Sequence, residues 1–371
     1  MERVADLKAR LIARIEATGP ISFADYMAAA LYDPDHGYYT TRAAIGFEGD
    51  YITSSDLGPA FGRTLSRAVG EFWDALGRPM AWDLVEAGGG HGTFLRDLLA
   101  SLERERPESV PGLRAAIVEV SPQLRRQQAL ALEGREVLWA ASARSLAPIH
   151  GVVLANEVLD AFPVHVLVRS ESGVREVHVA VRDGRLVETL LPASRDDLVP
   201  RVPGELPVGG RWEVSIAAEK WVADLGATVA RGYVLFTDYG GDERSLLGRE
   251  AGTLRGFAGH RFIADPLASP GTADLTASVN FSAIRAAAER AGMTLVGQGT
   301  QRDVLLALGI REPTARSADA REQLRAASRR SAADALLDPN GLGAFVVMCF
   351  AKDAPTDRVR MFARAPFVTT R

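Results

Sequence analysis

The chain has 371 residues, 47% of them hydrophobic and 24% charged, a make-up that suits one large globular domain with additions, or two domains. A formal net charge of −4 leaves no overall basic excess to hold a polyanion, which argues against a nucleic-acid partner. The single cysteine, Cys349, sits in an apolar run and reads as strand filler; it excludes an internal disulfide and a thiolate zinc site, and six histidines without ligand spacing suggest no metal.

In chain order, Val4, Leu7, Leu11, Ile12 and Ile15 recur at helical spacing in a segment that reads as a helix of the mature protein, not a targeting signal. With no apolar run near the ~20 residues of a membrane helix, the expected location is the cytoplasm. Ser22 and Asp25 then resemble an N-cap leading into the short helix FADYMAAALY. An irregular stretch, 36–55, is long enough to suggest a working loop. Phe61, Leu65, Val69, Phe72 and Leu76 mark one face of a helix stopped at Gly77.

Next comes AWDLVEAGGGHGTF, an apolar strand, a glycine cluster and a helix start. Such a turn lets backbone come within contact distance of a ligand, with helix N–H groups facing the same space. A tight turn with no ligand uses the same residues. The pattern is Gly88, Gly90 and Gly92 with Thr93 following, where the dinucleotide fingerprint needs another glycine, so it tilts from NAD towards S-adenosylmethionine.

Further strands are expected at 114–120, 137–140 and 151–155, with Ser121 and Pro122 opening a helix between the first two. Residues 163–191 read as antiparallel strands. A helix at 212–230, the strand YVLFTDYG, a Gly- and Asp-rich loop at 239–279, a helix at 281–291, a strand at 293–296, a helical region to 337 and a last strand at 343–352 complete the chain. Alternating strands and helices predict an α/β fold with a mainly parallel sheet, whose ligands bind beyond the C-terminal strand ends. The expected division is an N-terminal helical extension (1–78), a core (79–352) with a β insertion (163–205) and a helical insertion (300–338), and a tail (353–371).

The strand ends supply the candidates. Glu119 can accept both hydroxyls of a ribose, and lies about 30 residues beyond the glycines, farther than the ~20 of the dinucleotide fold. Glu86 can hold an ammonium group or brace the turn. Asn156, Glu157 and Asp160 put an amide and two carboxylates beside the presumed sulfonium; Glu157 and Val158 stand where adenine and glutamine methyltransferases carry two prolines, so a cationic acceptor is favoured over a stacked base. Carboxylates can hold a guanidinium bidentately and take its proton, although Asp160 serves equally as a local cap. Asp238 and Tyr239 end the next core strand, and His260 and Asp265 follow in the long loop as substrate-side candidates.

GDYITSS (49–55), EAGGGHGT (86–93), EVSPQLRRQQ (119–128), NEVLDAFPVH (156–165), TDYGG (237–241), the segment 252–284 and TQRDVLLALGI (300–310) occur in order, and in them the chain resembles the MidA family of class I S-adenosylmethionine-dependent methyltransferases, over about residues 5–352. That resemblance implies a seven-stranded, Rossmann-like core with an N-terminal helical extension and insertions. It implies S-adenosylmethionine as cofactor, touched by Gly88, Gly90, Gly92 and Glu119, with Ser121, Thr53 and Ser54 on the cofactor side, and the loop from Asp50 and residues 156–160 at the reaction site. Mitochondrial relatives methylate an arginine of a respiratory complex I subunit, so a protein arginine is the implied acceptor. A small-molecule acceptor, or an assembly factor that does not catalyse, stays open, as does a homodimer. Gly89 replaces the family's usual proline and Ala87 a larger apolar residue; Ser278, Asn280, Phe257 and Ala264 replace a histidine, an aspartate, a tyrosine and an aspartate.

Overall fold

The computed structural model describes residues 2–41, 53–259, 261–310, 327 and 330–362. The chain forms two compact units that alternate along the sequence, one made of Met1–Tyr51, Leu159–Val222 and Gly240–Ala287, the other of Ile52–Val158, Ala223–Tyr239 and Ala288–Arg371.

The second unit holds a seven-stranded sheet: β1 (Trp82–Ala87), β2 (Leu113–Val118), β3 (Val137–Ala140), β4 (Ile149–Asn156), β5 (Val229–Asp238), β6 (Thr294–Thr300) and β7 (Val346–Lys352). Their spatial order is β6-β7-β5-β4-β1-β2-β3. The five strands from β3 to β5 are parallel, and β7 enters antiparallel between β5 and β6. This is the expected seven-stranded, mainly parallel α/β core. Every residue of β1 is buried, as a central strand covered on both faces requires. The expected apolar face of helix Ala60–Ala75 packs into the core with Phe94, Leu95, Leu98 and Leu102 of helix Thr93–Glu105, and Phe72 stacks on Tyr233 of β5 with ring centroids 4.6 Å apart. Cys349 is buried in β7, the role its apolar neighbours suggested. Strand order reverses between β1 and β4, so the ends of these two strands flank the switch point where open α/β sheets bind ligands.

The first unit is built on an antiparallel sheet in which Gly173–Arg182 pairs with His165–Ser170, Arg185–Leu191 and Ile21–Ser22. The hairpins expected over 163–191 are present. A further strand, Arg211–Val214, pairs antiparallel with His165–Ser170, so the helix expected from Trp212 begins instead at Ile216. Period two prevails in RWEV: Trp212 and Val214 are buried, Trp212 among Leu167, Leu198 and Leu206. Ser215 caps the delayed helix, its Oγ accepting from the Ala218 N–H at 3.1 Å. The long loop is also more ordered than expected, because Gly240–Gly241 pairs with Val279–Asn280, and Arg255–Ala258 pairs with Arg261–Phe262 and Asp274–Thr276. Strands of two to four residues are too short to show a period. Helix Phe23–Tyr32 carries its expected cap, Ser22 Oγ accepting from the Asp25 N–H at 3.1 Å. Among the described residues, no helix is long and apolar enough to cross a membrane.

Candidate functional site

The turn after β1 is closed by a hydrogen bond from Gly92 N to Gly89 O at 2.7 Å. Gly88 and Gly92 have φ of 69° and 79°, and both are hemmed in: a Cβ would come within 2.7 Å of Val158 Cγ2 at the first and 3.0 Å of Gln128 Cα at the second. A side chain there is excluded twice, by backbone strain and by space. Gly90, with φ 48°, instead borders open space, with nothing within 4 Å of a Cβ position. Helix Thr93–Glu105 starts at Gly92 without a side-chain cap, which leaves its positive end available to an anion. Gly89 packs inward, its Cβ position 2.8 Å from Ile117 Cγ2 and 3.2 Å from Gln128 Nε2.

Two carboxylates lie below the turn. Glu86 is 3% exposed and its Oε2 is buried without a hydrogen-bond partner. Burial, then the charge of Glu119, push its carboxyl up to about 8, partly offset by the Leu95 N–H that donates to it. Glu119 follows β2 and is 6% exposed; burial holds it above the usual carboxylate range despite its hydrogen bonds. Its Oε1 accepts from Ser121 N at 2.8 Å and its Oε2 from Gln128 Nε2 at 3.0 Å. Ser121 Oγ is engaged as the cap of helix Pro122–Ala131, accepting from Leu124 N at 3.3 Å. Gln128 is a site residue that the sequence reading passed over. Its signal was a polar side chain in the stripe Leu124, Gln128, Leu132, whose three members are all buried. His91, between Gly90 and Gly92, was missed too; its Nε2 is buried without a hydrogen-bond partner.

Across the switch point, Asn156 ends β4 and Glu157 takes φ 53°, held there by its N–H donating to Thr237 O at 2.8 Å. Glu157 Oε1 accepts from Ser54 N at 2.8 Å and from Asn156 Nδ2 at 3.1 Å. Asn156 Oδ1 is buried without a partner. Ser54 Oγ donates to Gln301 Oε1 at 3.2 Å, anchoring that segment to helix Gln301–Ala307, while Thr53 folds back on Asp56, its Oγ1 2.7 Å from Oδ2. The structure thus joins Ser54, Asn156 and Glu157, expected from widely separated motifs, into one hydrogen-bonded group.

Other expected residues stand differently. Asp238 is 1% exposed and accepts from Val158 N at 3.0 Å and Tyr239 N at 2.9 Å, which braces the turns after β4 and β5. Tyr239 packs beside Phe345, ring centroids 5.9 Å apart. Asp160 and Asp265 belong to the first unit: the Asp160 carbonyl accepts from Ala277 N at 3.1 Å, and Asp265 Oδ1 accepts from Leu267 N at 2.9 Å. Asp50 and His260 lie outside the described residues. The substituted pair of the long loop has local duties. Ser278 Oγ accepts from Arg249 Nη1 at 3.0 Å, and Asn280 Oδ1 accepts from the N–H groups of Ser282 and Ala283 at 3.1 and 3.2 Å, capping helix Phe281–Arg290. Asn280→Ala is therefore expected to cost about 1 kcal/mol, read as a lower urea midpoint with an unchanged slope.

A buried carboxylate with a vacant acceptor, a bare helix N-terminus and a second carboxylate beyond form an array for a ligand with an ammonium group, a carboxylate and vicinal hydroxyls. The comparisons agree with that chemistry. The model of a family of S-adenosyl-L-methionine-dependent methyltransferases matches residues 64–299. The chain is 34% identical over 332 residues to the zebrafish (Danio rerio) mitochondrial protein arginine methyltransferase NDUFAF7, covering 81% of this chain and 76% of that one. It is 33% identical over 318 residues to the Drosophila melanogaster homologue, covering 77% and 70%. Among solved structures it is similar, with TM-score 0.89 and 31% identity over 98% of this chain and 96% of the other, to a COG1565 superfamily member from Burkholderia thailandensis bound to S-adenosyl-homocysteine. The unpaired Glu86 Oε2 and the open side of Gly90 fit a ligand of that kind.

Proposed function

Because the chain belongs to the family of S-adenosyl-L-methionine-dependent methyltransferases, we propose that it methylates an arginine side chain of a protein. The observation that carries this reading is the Glu157 carboxylate at the end of β4, fixed by Ser54 and Asn156 beside the unpaired Asn156 Oδ1. The names of the relatives support the same acceptor, as protein arginine methyltransferases. The cytoplasmic location expected from the lack of a long apolar run and of a targeting segment gains no support from these relatives, whose names are mitochondrial.

Bound S-adenosylmethionine supplies the methyl group on a cationic sulfur. The chain's own residues hold and align. Glu86 Oε2 would hold the ammonium of the amino-acid end, the helix start at Gly92 would receive its carboxylate, and Glu119 would accept the ribose hydroxyls. Glu157 and Asn156 Oδ1 accept from the guanidinium N–H groups, orient one nitrogen, and Glu157 takes the proton released as that nitrogen is alkylated. A guanidinium enters charged, since its pKa lies above ~12, so a fixed carboxylate serves both to bind it and to receive its proton.

The test is transfer of radiolabelled methyl groups into host proteins, followed by amino-acid analysis. Label in methylarginine supports the reading; label confined to small molecules would reject the protein-arginine acceptor, and binding of S-adenosyl-homocysteine without any transfer would favour an assembly factor that does not catalyse.

Glu86 gives a second expected result. In the unliganded protein its carboxyl, at about 8, is mostly protonated at pH 7. Pairing with an ammonium favours the carboxylate, so binding of S-adenosyl-homocysteine at pH 7 should release protons. Calorimetry in buffers of different ionisation heat measures it, and Glu86→Gln should abolish it. The sign for stability follows: below the unfolded carboxyl's ~4.3 both states are protonated, and from there to about 8 the folded state keeps a proton that the unfolded state loses. Across that window the unliganded fold should lose stability as pH rises, a loss that Glu86→Gln should remove.

A further inference from the structure

Resting on Glu119 as the ribose acceptor, we propose that Gln128 is the positioning residue of the cofactor site, locking the Glu119 carboxylate and the glycine turn into one geometry. Gln128 is fully buried, at 0% exposure, on the inward face of helix Pro122–Ala131. Its Nε2 donates to Gly90 O and to Glu119 Oε2, each at 3.0 Å, while its Oε1 accepts from Trp139 Nε1 on β3, also at 3.0 Å. Both amide protons and the amide oxygen are thereby used. The orientation is fixed by chemistry as well: a flipped amide would set Oε1 against two acceptors and Nε2 against the indole N–H.

The consequence lies in what is left on Glu119. With Oε1 held by Ser121 N and Oε2 by Gln128, the carboxylate plane is set from two sides before any ligand arrives. A carboxylate so oriented accepts a pair of vicinal hydroxyls without the entropic loss of ordering its own rotamers. The same amide ties the Gly90 carbonyl, on the turn that serves the amino-acid end, to the group that serves the ribose. Gly92 pressed against the Gln128 backbone, with only 3.0 Å left for a Cβ, keeps helix and turn in register. Gln128 acts through Glu119 and does not touch the ligand.

Calorimetry without any methyl acceptor tests this, with S-adenosyl-homocysteine and its 2′-deoxy counterpart as probes on the full chain. Gln128→Met should weaken S-adenosyl-homocysteine about tenfold and the 2′-deoxy ligand about threefold or less, so that ribose discrimination shrinks. Trp139→Phe, which removes the N–H that orients the amide together with part of the ring, should move discrimination in the same sense by about threefold. Added to Glu119→Ala, Gln128→Met should cost less than about twofold more, because the group it positions is gone. Equal loss on both ligands, or full additivity with Glu119→Ala, would overturn the proposal while leaving the cofactor reading intact. Failure of the unaltered protein to bind S-adenosyl-homocysteine would overturn the cofactor reading and the proposal together.

Discussion

Glu157→Gln should lower turnover by about 100-fold or more while leaving the dissociation constant of S-adenosyl-homocysteine within about twofold of wild type. The substitution keeps an acceptor for the Ser54 N–H and removes the charge that holds a guanidinium and takes its proton. The hydrogen bonds of Glu157 run to Ser54, Asn156 and Thr237, whereas those of Glu119 run to Ser121 and Gln128, which is why cofactor affinity should be spared. Single-turnover rates with an arginine-containing acceptor, set beside calorimetric affinities, check it. Equal losses in binding and turnover would mean that Glu157 builds the site and does no chemistry in it. Glu157→Gly is an informative companion: φ of 53° costs a residue with a side chain about 1 kcal/mol or more, so glycine relieves strain and should lose turnover without a matching loss of thermal stability.

The largest effect on binding is expected at Glu119. Two hydroxyls donating to a carboxylate contribute about 1.5–3 kcal/mol each, so Glu119→Ala should weaken S-adenosyl-homocysteine by about 100-fold or more in calorimetry. Its consequences for the fold oppose one another. Ser121 N and Gln128 Nε2 lose their acceptor, while the desolvation of a buried carboxylate is relieved and Glu86, freed of a neighbouring negative charge, ionises more readily. Stability should therefore change far less than affinity. Retained affinity after Glu119→Ala would remove the ribose role altogether.

Much of this site was readable from residue order because its parts are local. A buried strand, a glycine cluster and a helix start are contiguous in residues 82–94, and the position of Glu119 at a strand end follows from β2 alone. Asn156 and Glu157 were legible for the same reason. What escaped was set by partners far along the chain. Gln128 differs from an ordinary helical glutamine only by meeting Gly90, Glu119 and Trp139. Asp238 has the look of a reactive carboxylate until the amides of Val158 and Tyr239 are found on it. Val214 fits a helical stripe with Ala218, Trp221 and Leu225 as well as it fits a strand, and pairing of Arg211–Val214 with His165–Ser170 decides between them. The short strands of the long loop depend on cross-strand partners that no local period announces.

The place of β7 bears on how the protein is made. It pairs with β5 along Gly232–Asp238 and with β6 along Thr294–Thr300, so that among the described residues β6 reaches the sheet through β7. As the chain leaves the ribosome, the apolar edge of β5 must wait, unpaired, through the synthesis of the whole Gly240–Ala287 segment of the other unit and of everything up to Val346. Contacts between strands so far apart form slowly, and an uncovered strand edge is a template for association with other chains. Until β7 is made, the edge of β5 that it covers in the finished sheet lacks its native partner, and β6 lacks its route into the sheet.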